Sequence, residues 1–235
     1  MKTPFVIGLL VVVSLLNFGC VKRDIDKISE AQDCLDTATS ANALTCMEKI
    51  EGVETAGANL IRCSAYFVDQ GFADTTRLAS VAERISSSNG TPQDNTFAAL
   101  SVMGFVATKY TKSENNSLSE KSLAVCEKSK SPGLIYLSSL SRISTVILNV
   151  SAYDHLSGNP PTTTELENVV CNNPDSAVLT AIGMAAIAAY QNDCVLHQGS
   201  GQTTDAVCQQ YATAIANNNS DPLAVGTALS TNLCP

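Results

Sequence analysis

From position 24 onward, apolar residues return at three- and four-residue steps, the period of a helix that buries one face. Ile25, Ile28, Ala31 and Leu35 form the first stripe and Leu44, Met47 and Ile50 the second, with a polar interruption at 37–40. That pattern predicts a short helical hairpin. Residues 54–70 place Ala58, Ile61, Ala65 and Val68 on one face, widened by Leu60 and Phe67, and Gly71 stands where a helix ends in a left-handed residue. Asp74 or Thr75 is placed to cap a further helix bearing Leu78, Val81, Ala82 and Ile85, which dissolves in the Ser/Asn/Gly segment 86–90. Helix is expected again over 94–110, with Phe97, Leu100, Val102, Met103, Phe105 and Val106.

After a polar, exposed stretch at 111–116, Ser117 and Glu120 have the spacing of a capping box and open a helix through Leu123, Val125 and Cys126 to Lys130. Ser131-Pro132 starts the next one, whose Leu134, Leu137, Leu140, Ile143, Val146, Ile147 and Val150 make a core-facing stripe. Gly158, Pro160 and Pro161 make 157–163 the strongest break in the chain, read as a long loop in preference to a domain boundary. Thr164 and Glu167 have capping-box spacing into Leu166, Val169, Val170 and Cys171. Between Ala177 and Tyr190 only Thr180 is polar. A helix apolar on all sides is surrounded by other helices or lies in a membrane, and this run is short against the roughly 20 residues a span needs. It is therefore expected to be the central buried helix, with Ala181, Gly183, Ala185, Ala186, Ala188 and Ala189 admitting close neighbours. Gly199-Ser200-Gly201 is the turn after it, 203–217 is helical, and Asp221-Pro222 begins a last helix ending at Cys234. The expected fold over 24–235 is all-α, about ten helices in consecutive hairpins arranged as an array or a bundle. The tetratricopeptide pattern of Trp, Leu-Gly and Tyr positions is not present.

Residues 1–20 differ in kind. Lys2 supplies a positive charge, 5–16 are almost unbroken apolar residues, and the run closes on Leu16-Asn17-Phe18-Gly19-Cys20. This is the pattern of a secretory signal, too short for a comfortable span and without an A-x-A-type cleavage site. Its ending resembles the lipobox of bacterial lipoproteins, in which a small residue precedes a cysteine that is lipidated on sulfur, freed by a dedicated peptidase and acylated on nitrogen. Gly19 and Cys20 match that motif; Asn17 and Phe18 depart from it, and Leu16 stands one position early. The resemblance implies a signal peptide over 1–19, a lipidated Cys20, a short tether over 20–23 and attachment through membrane lipid. Several acyl chains on one residue anchor stably where a single chain holds only marginally. The residue after the cysteine is Val21, not Asp, so the family's inner-membrane retention signal is missing and the resemblance implies the outer membrane.

Charge narrows the range of partners. Removal of 1–19 takes away Lys2 and no other charged residue, which leaves 13 Lys and Arg against 22 Asp and Glu. So acidic a body repels phosphate backbones and anionic lipid surfaces, and nucleic-acid binding is excluded as an expectation. After Arg142 there is no Lys or Arg, while Asp154, Glu165, Glu167, Asp175, Asp193, Asp205 and Asp221 are all acidic. This is compositional drift or an acidic face for a basic partner or divalent cation.

With Cys20 set aside, eight cysteines remain, and an even number in an exported chain reads as a disulfide framework. Cys34 and Cys46 flank the first hairpin turn, and Cys194 and Cys208 flank the 199–201 turn at similar distances, so these are the expected pairs. The pairing of Cys63, Cys126, Cys171 and Cys234 stays open, because simple up-and-down packing does not bring Cys171 and Cys234 to the same end.

Candidate chemistry is sparse. Cys194 and His197 with Cys208 could supply zinc with three ligands, although export favours a Cys194–Cys208 disulfide. A Ser-His-Asp triad would have to use His155 or His197, and Asp154 beside His155 points to another side of a helix. The carboxylate pairs Glu48/Glu51 and Glu165/Glu167 read as solvated, the latter as first-turn residues favoured by the helix dipole. With no Trp and few other aromatics, a sugar-stacking groove is not expected. No cofactor is expected. The sequence thus points to a lipid-anchored, disulfide-stabilised helical module of the outer membrane that binds a protein partner without catalysis. The alternatives are an envelope enzyme with a metal at Cys194, His197 and Cys208, and a surface adhesin or secreted effector.

Overall fold

Most of the apolar stripes that fall on described residues fold as helices. The computed structural model describes residues 23–77, 79, 83, 100–151, 154, 156, 162–172, 174–194 and 206–234, and among these every regular element is helical. Helix α1 covers 23–36, a 3-10 helix covers Ala43–Ile50, and α2 covers Ala56–Asp69. Then come α3 (Lys112–Ser129) and α4 (Pro132–Val150). The short α5 (Thr163–Glu167) runs on as a π-helical turn, Asn168–Asn172, and α6 (Ser176–Ala189) does the same through Tyr190–Cys194. Helices α7 (Ala206–Asn217) and α8 (Pro222–Leu233) close the chain.

Each major helix packs on the next: the 3-10 helix on α2, α2 on α3, α3 on α4, α4 on α6, and α6 on α8. The core follows the same succession. Ala31, Leu35, Ile50, Val53 and Ile61 fill the N-terminal hairpin; Phe67 and Phe105 surround Cys63 and Cys126; Ile147, Leu166, Val178, Ile182, Val225 and Leu229 form the large C-terminal cluster. Packing of α4 against α6 bridges the Gly/Pro break, of which residues 157–161 lie outside the described set.

Four disulfides cross-link this stack. Cys34 is bonded to Cys46 and Cys194 to Cys208, with Cα atoms 5.6 and 5.5 Å apart. Of the cysteines whose pairing the sequence left open, Cys63 joins Cys126 and Cys171 joins Cys234. Simple up-and-down packing would keep Cys171 and Cys234 at opposite ends. Instead, Cys171 sits in the π turn after α5, and that turn packs against α8.

Several expected boundaries shift, each for a local reason. The second arm of the first hairpin is a 3-10 helix, not an α-helix. The helix expected over 94–110 has ended by residue 103; residues 91–99 lie outside the described set. Beyond it the backbone finds partners on other helices: Phe105 N donates to Thr145 Oγ1 (2.8 Å) and Ala107 N to Gln70 Oε1 (3.2 Å). With buried N–H groups satisfied that way, the apolar run has no need of helix to satisfy its backbone. The capping boxes are Thr111 with Glu114 and Thr162 with Glu165, in place of Ser117/Glu120 and Thr164/Glu167. In both, the threonine accepts from the N3 amide at 3.2 Å while the glutamate accepts from the threonine amide at 2.8 Å. These bonds to the ionised form, backbone amide first, hold both carboxyls below the usual range. Because α3 starts a turn and more earlier than expected, Asn115 is buried inside it and donates to the Ala107 carbonyl at 3.2 Å.

Gly71 ends α2 at φ +81°, with Phe72 N bonded to Phe67 O and Gly71 N to Val68 O, as a Schellman motif requires. Asp74 Oδ1 then accepts from Thr76 N at 2.8 Å, so Asp74 is the cap of the following turn. Arg77 binds the two ends together. Its guanidinium donates to the carbonyls of Gln70, Val102 (3.1 Å) and Gly104 (2.6 Å), and stacks 3.9 Å above the Phe72 ring. Phe72 in turn meets Phe67 edge-on at 5.2 Å. A planar fork serves three carbonyls in a way that an ammonium cannot. We expect Arg77→Lys to cost about 2 kcal/mol, on the scale of hydrogen bonds made by charged groups, seen as a lower urea midpoint at constant slope.

Helix α4 departs most from its expected stripe. Val150 is exposed and Leu134 and Leu137 only partly buried, while Ser138, Ser139, Ser141 and Ser144 are buried. Ser138 and Ser139 donate back to the Ile135 carbonyl at 2.9 and 2.8 Å, Thr145 does so to Ser141, and Ser144 donates across to Leu100 O. A small side chain that satisfies its own hydroxyl in this way packs as a hydrophobe would and lets neighbours close in. By length and composition α4 is also the one described helix able to cross a membrane. Its buried serine face and the Arg142 guanidinium bonded to α3 make it a core helix of this domain.

Candidate functional site

Two helices with firm N-termini frame a shaped surface of the molecule. Helix α3 is fixed by its Thr111/Glu114 box, and α6 by Asp175, whose Oδ1 accepts from Ala177 N at 2.7 Å. Between them, over α4, runs a groove of about 480 Å³. The α3 wall is Glu120, Leu123, Ala124 and Glu127; the α6 wall is Ser176, Ala177, Thr180, Ala181 and Met184. Arg142 of α4 reaches in from below. Leu123 and Ala181 are buried, but the Met184 side chain is 50% exposed, a long flexible apolar group standing in solvent at the mouth.

The groove's one cation is already engaged. Arg142 Nη1 donates to Asn116 Oδ1 (2.6 Å), Asn116 O (3.0 Å) and Ser119 Oγ (3.0 Å), and Nη2 lies 3.9 Å from Glu120. Its desolvation at this junction lowers the guanidinium's proton affinity, partly countered by Glu120. None of the ion pairs among the described residues engages Glu127. Burial against the groove pushes the Glu127 carboxyl up from its ordinary range, although the residue as a whole is exposed. The groove therefore offers an apolar floor and an acidic rim on which Glu120 is paired with Arg142 and Glu127 has no ion pair among the described residues. It holds no nucleophile paired with a base: no hydrogen bond among the described residues links Ser176 or Thr180 to Glu120 or Glu127.

A second polar centre is structural. Asp69, 2% exposed, takes an ion pair from Lys109 at 2.6 Å and a hydrogen bond from the Tyr110 hydroxyl at 3.2 Å. Lys109 also donates to the Ser40 carbonyl, so the cluster ties the first hairpin to the segment before α3. Burial, then the Asp69 charge, pushes the Tyr110 hydroxyl up from its ordinary value.

Among the described residues, those singled out in the sequence do not converge on a reactive site. Zinc at Cys194 and Cys208 would need both as thiolates, whereas their sulfurs are bonded to one another. His197 and His155 lie outside the described residues, as does Cys20. Glu165 is spent in its capping box, and Glu48 and Glu51 line a second, shallower depression beside Arg62 and Lys128. Among the described residues no group of three or more His, Cys, Asp or Glu side chains is placed to hold a metal ion. The groove residues were not found from sequence. Glu120 and Glu127 repeat at two helical turns, a visible signal, but only the packing of both α3 and α6 on α4 turns it into a site. Compared with family models, with curated proteins and with solved structures, the chain matches none.

Proposed function

We propose that this chain is a lipid-anchored lipoprotein of the cell envelope that acts as a non-enzymatic protein-binding or scaffolding module. The observation that carries the binding half is the α3–α6 groove, which has an apolar floor, a half-exposed Met184 and an acidic rim but no catalytic pairing. The lipobox-like ending at Gly19-Cys20 supports the anchor, and Val21 supports the outer membrane. Helix α1 is already formed at Arg23. Three residues of chain reach at most about 11 Å, so a lipid on Cys20 would hold the domain directly against the bilayer, without a long spacer.

The test is the intact mass of the protein taken from its own membranes, before and after reduction. The expected mass is that of residues 20–235 carrying a diacylglyceryl and an acyl group, rising by eight hydrogens as the four disulfides open. An unlipidated mass would overturn the anchor.

A further inference from the structure

We propose that the α3–α6 groove docks a basic amphipathic segment of a partner protein, seating a large apolar side chain on Leu123, Ala181 and Met184 and placing cations against Glu120 and Glu127. This deepens the protein-binding reading and rests on it. Three features select this occupant. The floor is apolar and ends in Met184, whose unbranched thioether adapts to side chains of different shape. Glu120 and Glu127 lie two turns apart on one helix, about 10 Å along its axis, which matches cations two turns apart on an antiparallel or parallel helix. The groove's negative charge is only partly answered from within: Arg142, held by Asn116 and Ser119, lies 3.9 Å from the exposed Glu120, no ion pair among the described residues engages Glu127, and residues 143–235, which supply the α6 wall, contain no Lys or Arg.

Charge also decides against the other occupants. A second copy of this chain would bring another acidic body, with 22 Asp and Glu against 14 Lys and Arg over the full sequence. An anionic lipid or phosphate would meet the Glu127 carboxylate without a free cation to receive it. Rim carboxylates of this kind steer encounter and set specificity, while the buried apolar contact holds the complex.

The probe is a fluorescent, helix-favouring peptide that presents Leu-Leu between two lysines two helical turns apart. A version with glutamate in place of lysine serves as control, and anisotropy is read on the exported chain. The lysine peptide is expected to bind, the glutamate peptide not. Glu127→Lys and Met184→Glu should each weaken binding about tenfold or more, while the distant Glu30→Lys leaves it within about twofold. Thermal melts of each variant check that the fold is retained, which is expected because Glu127, Met184 and Glu30 are all exposed. The proposal is overturned if the lysine peptide does not bind, if Glu30→Lys weakens it as much as Glu127→Lys does, or if Met184→Glu leaves it unchanged. Absence of binding by a chain whose mass shows lipid on Cys20 sinks the groove and leaves the anchor standing; binding by an unlipidated chain does the reverse.

Discussion

Alanine at Gly183 or at Gly226 is expected to destabilise the protein by about 3 kcal/mol, the upper end of what overpacking costs, and to lower its melting temperature by roughly 6–12 °C. Helix propensity alone argues the other way, since alanine in a helix interior is favoured over glycine by about 1 kcal/mol. The crossing of α6 and α8 decides the sign. A Cβ on Gly183 would stand 1.8 Å from the Pro222 carbonyl oxygen, and one on Gly226 would stand 1.7 Å from the Leu179 carbonyl oxygen. Both obstacles are backbone, so no rotamer change relieves them; the helices must separate and open the C-terminal core around Val178, Ile182, Val225 and Leu229. Gly133 provides the control. It lies in the first turn of α4, and a Cβ there meets nothing within 4 Å. Gly133→Ala should therefore leave stability unchanged or raise it by up to about 1 kcal/mol. Calorimetry of the three variants tests the crossing: equal small effects would show that α6 and α8 do not meet backbone to backbone.

That crossing was half legible in the sequence. The run 177–190, rich in Ala and Gly, announced a buried helix with close neighbours, and α6 is buried along most of its length, with Ser176, Ala177 and Met184 exposed. Which helix would approach, and at which glycine, is a property of the tertiary arrangement, so Gly226 carried no signal of its own. The same limit explains α4. Apolar periodicity named Leu134, Leu137 and Val150 as core, but a helix gripped between α3 and α6 buries a wider arc than one stripe; Ser138, Ser139 and Ser144 could enter because each hydroxyl finds a carbonyl on its own or an adjacent helix, while the Ser141 hydroxyl is buried with no hydrogen-bond partner among the described residues. Threonine–glutamate spacing occurs more than once near each helix start. The choice between Thr111 and Ser117 depended on the non-helical course of 104–110, and spacing alone does not choose between Thr162 and Thr164. The groove lay beyond reach for a related reason: its two walls are separated by about 50 residues of sequence and become neighbours only through α4, to which both pack.

Replacing both Cys63 and Cys126 by alanine should cost about 4 kcal/mol, against about 3 kcal/mol for the Cys34/Cys46 pair, when each loop is closed by chain entropy alone. The difference comes from loop length, because the first bridge spans 63 positions and the second 12. Cys171–Cys234 also spans 63, yet Cys194–Cys208 is nested inside it and shortens the free loop that its removal would release. Packing widens the gap further. Cys63 and Cys126 are both 0% exposed and sit among Phe67 and Phe105, whereas Cys171 and Cys234 are only partly buried. The 63–126 bridge is also the covalent link between α2 and α3, and it encloses the segment that Arg77 holds through the Val102 and Gly104 carbonyls and Thr145 through the Phe105 amide. Its loss should therefore lower the urea midpoint most of the four, with a steeper slope if the reduced unfolded chain expands. A larger effect from Cys34/Cys46 would place the weak point of the domain in its N-terminal hairpin, and the array would then have to unfold from that end and not from the α2–α3 junction.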